Sequence, residues 1–126
     1  MTARAAALDA RTVGTVDPVL VARALATIPG HDEAELLAQL FKLLGDPTRT
    51  RILYALLEAG ELCVGDLAAV VEASETTVSQ ALRLLRGAGA VDNRRAGRMM
   101  FYRLADAHVR MLLDLSREHT RHDGTP

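Results

Sequence analysis

The chain has 126 residues, enough for one domain of about a hundred residues with a tail and too few for two ordinary domains. Its formal net charge is only −1 but is unevenly spread: residues 74–103 carry six basic side chains against two acidic ones, while residues 1–73 carry ten acidic against six basic. No apolar run approaches the roughly 20 residues of a membrane span, and the single cysteine, Cys63, excludes an intrachain disulfide, so a reducing cytoplasm with no membrane partner is expected.

The opening "MTARAAALDARTVGTVD" lacks the continuous apolar stretch of a signal peptide and reads as a flexible N-terminal tail over residues 1–17. Residues 18–123 are expected to form one domain. From Pro18 to Ile28, Val19, Ala22, Leu25 and Ile28 repeat every third residue, predicting a first helix closed by Pro29-Gly30. Leu36, Leu37, Leu40, Phe41 and Leu44 predict a second, stopped by Gly45. In "GDPTRTRILYALLEAG", Asp46 caps the next helix, Pro47 takes its first position and Gly60 ends it. That helix is expected to bury Ile52, Leu53, Leu56 and Leu57, with Arg49 and Arg51 on its polar side.

"CVGDLAAVVEASETTVSQALRLLRGAG" predicts two short helices joined by a tight turn at Ala73-Ser74. Ser74 can cap the second, which turns Val78, Leu82 and Leu85 inward and leaves Glu75, Thr76, Thr77, Ser79, Gln80 and Arg83 available. This is the pattern of a helix-turn-helix, whose second helix offers hydrogen-bonding side chains to the major groove, though an ordinary amphipathic helix pair looks similar. "AVDNRRAGRMMFYRLA" then alternates with a period of two about an Ala96-Gly97 turn, which predicts a β-hairpin with Arg94, Arg95 and Arg98 at its tip. A basic hairpin directly after a helix-turn-helix is the wing of a winged helix, placed to reach phosphates or the minor groove. The expected fold is therefore mainly α with a small β-hairpin, a winged helix-turn-helix acting on double-stranded DNA.

A last helix is predicted over "LADAHVRMLLDLSREHTRHDG", capped by Asp106 and ended by Gly124 and Pro126. Three of the four histidines lie here. His119 and His122 share a face, and Asp106 lies beside His108 at the other end. The eleven residues from His108 to His119 span roughly 16 Å of helix, too far for one metal ion with ligand bonds of about 2 Å to be held by both ends of one copy. Two copies packed antiparallel would form two equivalent sites about a twofold axis, each with Asp106 and His108 from one chain and His119 and His122 from the other. Taken singly, each histidine also reads as a solvated polar residue.

From Leu36 to His122 the chain resembles the ArsR/SmtB family of bacterial metal-responsive repressors, through "LFKLLGDPTRTRILYALLEAGELCVGDLA", "VSQALRLLRGAGAV" and "RRAGRMMFYRLADAHV". The resemblance implies a dimeric winged-helix repressor that leaves operator DNA when metal binds. Asp106, His108, His119 and His122 resemble the ligand set of the family's interchain C-terminal-helix site, found in its zinc and cobalt sensors and, with added ligands, in a nickel sensor. Three imidazoles and a carboxylate suit tetrahedral zinc, with cobalt(II) second. Nickel is less suited, because "MTARAAAL" lacks the N-terminal histidine that the nickel sensor recruits.

Two departures stand out. Many members have a histidine shortly after the serine of the DNA-reading helix, whereas Gln80 and Ala81 follow Ser79 here. Cys63 and Asp66 match positions that join N-terminal donors in some zinc sensors, but the N-terminal segment offers no cysteine and only His31, so Cys63 is assigned to packing, with a weak second site at Cys63 and Asp66 as the minority reading. The chief rivals are a winged-helix regulator with another effector and a metalloenzyme. The enzyme is disfavoured because four protein ligands would close the zinc shell, and no nucleophile–base pair or phosphate loop stands out.

Overall fold

The computed structural model of the chain describes residues 14–124, with side chains through Arg121. Of the tail expected over residues 1–17, residues 1–13 lie outside the described part. The elements run α1 (Pro18–Thr27), α2 (His31–Leu44), α3 (Pro47–Ala59), β1 (Leu62–Cys63), α4 (Val64–Val71), α5 (Glu75–Gly87), β2 (Val91–Ala96), β3 (Met99–Leu104) and α6 (Ala107–Gly124). The chain divides into two units, residues 1–38 and 39–126. In the first, Asp17 caps α1 by accepting from the Leu20 N–H at 3.0 Å, with Pro18 leading the helix.

The second unit is organised by α3. Asp46 accepts from the Arg49 N–H at 3.0 Å, Pro47 opens the helix, and Gly60 ends it at φ +85°, a conformation glycine adopts without a Cβ penalty. Ile52, Leu53 and Leu56 of α3 meet Leu67, Ala68 and Val71 of α4 and Val78, Ala81, Leu82 and Leu85 of α5 in one buried cluster, which Val91 and Leu104 of the wing extend. Fully burying one such leucine contributes about 1.5–3 kcal/mol, so the helix-turn-helix is held chiefly by its own apolar faces.

One expectation is extended by side-chain contacts and two are corrected. Arg49 and Arg51 stand off the buried face of α3, as expected, and both also bond backbone carbonyls: Arg49 Nε donates to the Leu43 carbonyl at 2.7 Å, and Arg51 Nη1 donates to the Val71 carbonyl at the end of α4 at 3.2 Å. The expected two-stranded hairpin is a three-stranded antiparallel sheet in the order β1-β3-β2, with Leu62 opposite Tyr102 and Cys63 opposite Phe101. A two-residue strand is too short to leave a period in the sequence. The hairpin turn also falls one residue later than expected: Ala96 pairs with Met99, leaving Gly97 (φ +63°) and Arg98 at the tip. Glycine at the first of two loop positions suits a type II′ hairpin turn.

Candidate nucleic-acid interface and metal-ligand helix

The turn between α4 and α5 sets the exposed face of α5. Glu72 closes α4 in the left-handed region at φ +57°, and Ser74 then accepts from the Thr77 N–H at 3.0 Å to start α5. The Ser74 hydroxyl also donates to Thr77 Oγ1 at 2.9 Å, so Thr77 serves the cap. With Val78, Ala81, Leu82 and Leu85 buried, Thr76, Ser79, Gln80 and Arg83 are left exposed on the opposite side. Their short polar groups and one guanidinium match the donors and acceptors of base edges.

The wing is less uniformly basic than its sequence implies. Arg95 and Arg98 are exposed near the tip, but Arg94 is tied down. Its Nε reaches the two Glu61 carboxylate oxygens at 3.0 and 2.9 Å, Nη2 makes a further bond to Oε1, and the guanidinium lies 5.0 Å above the centre of the Phe101 ring. Arg103 approaches the same carboxylate at 3.8 Å. The hydrogen bond from Arg94, reinforced by the Arg94 and Arg103 charges, holds the Glu61 carboxyl below its usual range and pushes the Arg94 guanidinium up. Glu61 precedes β1, and its role could not be read from the sequence because its partners lie 33 and 42 residues away.

In α6, Asp106 Oδ1 accepts from the Val109 N–H at 3.0 Å and so starts the helix. Its carboxylate lies 3.8 Å from His108 Nδ1, too far for a direct hydrogen bond, and both side chains are well exposed, at 54% and 93%. The helix runs unbroken through residue 119, so the separation expected from its rise holds along one axis. The His122 side chain lies outside the described residues. Among the described residues no three histidine, cysteine or carboxylate groups converge on one point.

The faces of α6 differ. At 100° per residue, positions 108, 111, 112, 115 and 119 fall within about 60° of one direction, and position 113 lies nearly opposite. Met111 and Leu115 are 58% and 61% exposed, whereas Leu113 is 6% exposed in the core. The Tyr54 hydroxyl, from α3, donates to the Leu113 carbonyl at 2.6 Å, and Arg117 covers the Tyr54 ring at 5.3 Å. The outward stripe thus carries apolar residues in the middle, His108 near one end and position 119 near the other.

A helix pair whose second member is capped by Ser74 and has an exposed polar face, followed by a basic two-stranded wing, makes this a winged helix-turn-helix protein. The family model described as "Bacterial regulatory protein, arsR family" matches residues 46–93. The chain is 43% identical to a cadmium resistance transcriptional regulatory protein CadC homolog of Staphylococcus aureus, over 67% of this chain and 69% of that one. It is 46% identical to a transcriptional repressor SmtB homolog of Synechocystis, over 72% of this chain and 66% of that one, so the match spans about two thirds of each relative. Among solved structures, the homodimeric winged helix-turn-helix DNA-binding domain Mb0332 from Mycobacterium bovis superposes with a TM-score of 0.65 at 31% identity, covering 77% of this chain and 94% of that one. The chain belongs to the ArsR family of bacterial regulatory proteins.

Proposed function

We propose that the protein is a metal-responsive transcriptional repressor that binds operator DNA as a homodimer and releases it when zinc, or cobalt(II), binds between two copies of α6. The observation that carries this reading is the outward stripe of α6. Apolar Met111, Leu112 and Leu115 are exposed on a helix whose two ends offer metal-competent groups on the same side. An antiparallel pair of such helices would bury the apolar middles against each other and bring each Asp106–His108 end beside the partner chain's His119–His122 end. The donor set suits the metal: three imidazoles and a carboxylate match tetrahedral zinc, and the exposed Asp106 carboxylate keeps acceptor capacity beyond its bond to Val109. Zinc would supply a crosslink between the copies, and a coupling of about 1–3 kcal/mol per effector would bias the dimer away from DNA. Thr76, Ser79, Gln80 and Arg83 would read bases, with Arg95 and Arg98 contacting phosphates. Thr77 supports α5, and Arg94 supports the wing.

Complementing half-sites test the arrangement. One chain carries Asp106→Ala with His108→Ala, the other His119→Ala with His122→Ala. Each homodimer should bind zinc poorly, while the mixed dimer regains one complete interchain site and should take up about one tight zinc. Mixed dimers with no tight zinc would overturn the interchain assignment. DNA release measured on the same sample reports whether one filled site suffices.

A further inference from the structure

The two faces of the wing differ in charge. Strand register places Asp92 opposite Arg103 and Arg94 opposite Phe101 on one face, and Asn93 opposite Tyr102 and Arg95 opposite Met100 on the other. On the first face Glu61 holds both Arg94 and Arg103, and with Asp92 the acidic and basic groups balance. The second face carries no carboxylate and looks onto α5. There Ser79, Arg83, Arg86, Asn93 and Tyr102 line an open groove of about 500 Å³. Arg83 and Arg86, one turn apart on α5, have no carboxylate within ion-pair reach among the described residues. Half-buried Asn93 and Tyr102 likewise spend no side-chain hydrogen bond on the described protein. Two unneutralised guanidinium groups, an amide and a phenol therefore converge on one concavity with their donors unused.

We propose that this groove seats a backbone phosphodiester of the DNA, held by Arg86, Asn93 and Tyr102 with Arg83 beside it. A phosphodiester has one negative charge and two unesterified oxygens, and is best met by a guanidinium assisted by neutral donors. Ser79 belongs both to the groove lining and to the exposed face of α5, so a strand seated here runs on directly to the base-reading side chains. The contact reads no sequence; it sets how deeply α5 enters the major groove. The assignment rests on reading α5 as the DNA-reading helix, and it adds a phosphate contact in the groove to those of Arg95 and Arg98 near the wing tip.

The test measures binding of the full-length protein to a fluorescein-labelled random-sequence duplex across a salt series. Removing one phosphate-binding cation should flatten the slope of log affinity against log salt by about 0.9, or roughly twice that when both grooves of a dimer are altered. Arg86→Gln should show this flattening. Tyr102→Phe keeps the charge and should lower affinity about threefold to tenfold at fixed salt with little change of slope. The double variant Glu61→Gln with Arg94→Gln removes a neutral pair from the other face and should keep the wild-type slope. Wild-type binding with an unaltered slope in Arg86→Gln would overturn the groove assignment alone, as would a flattened slope in the Glu61/Arg94 variant with none in Arg86→Gln. Failure of the wild-type protein to bind any duplex would overturn the DNA reading and the groove with it. Thermal melting of each variant separates these outcomes from misfolding.

Discussion

Glu61 and Arg94 show how a single side chain can change the meaning of a motif. Three arginines around a hairpin tip imply three phosphate contacts, but one of them is held by a carboxylate brought alongside by β1. Because hydrogen bonding lowers the folded-state pKa of Glu61, the pair contributes above the ordinary carboxylate range and is lost only as pH falls through the depressed value. The Arg94 Nε–H resonance should therefore stay constant through mild acid and shift only below the usual carboxylate range, with Glu61→Gln abolishing the inflection. An inflection at the ordinary carboxylate value would mean that the pair does not form in solution. Glu72 makes a related point: the tight turn was legible from Ala73-Ser74, but its left-handed residue is a glutamate, which no turn preference marks.

At the scale of elements, the helix starts were the most legible feature. Asp46, Ser74 and Asp106 each accept from the backbone N–H three residues on, as the sequence predicts, and Asp17, which it does not single out, does the same. Such caps are local, so they survive in sequence. The apolar pattern of α6 was harder to read, because it merges two faces: Leu113 packs into the core, while Met111, Leu112 and Leu115 remain exposed. Tyr54 fixes which face turns inward by its bond to the Leu113 carbonyl. Tyr54→Phe should cost about 0.5–1.5 kcal/mol in chemical denaturation and raise hydrogen exchange in α6 ahead of the other helices. Uniform exchange across all elements would show that Tyr54 does not anchor α6 in particular.

For the whole molecule, the proposed metal response depends on donors at the two ends of α6 and not on the one cysteine. Cys63 is 7% exposed at the junction of β1 and α4 and paired opposite Phe101, the setting of a packing residue. Cys63→Ser should keep zinc-driven release of DNA. The same measurement repeated at falling pH should show apparent zinc affinity dropping steeply, since imidazole coordinates only in its neutral form. Loss of release in Cys63→Ser, or an affinity indifferent to acid, would move the metal site away from the histidines.

The division between what was readable and what was not follows the range of each interaction. Helix caps, helical periodicity, the basic block at residues 74–103 and the separation of His108 from His119 are set by neighbours within a few residues or by helical rise, so the sequence alone determined the winged helix-turn-helix and the spacing of the candidate ligands. The tertiary structure decided which arginines are free. Strand register sends Arg94 to Glu61 and Arg95 to the opposite face, and the packing of α5 against the sheet brings Arg86 to Asn93 and Tyr102. Those partners are joined only through folding, because a strand's neighbours across a sheet are chosen by register and burial, which no local spacing in the chain records.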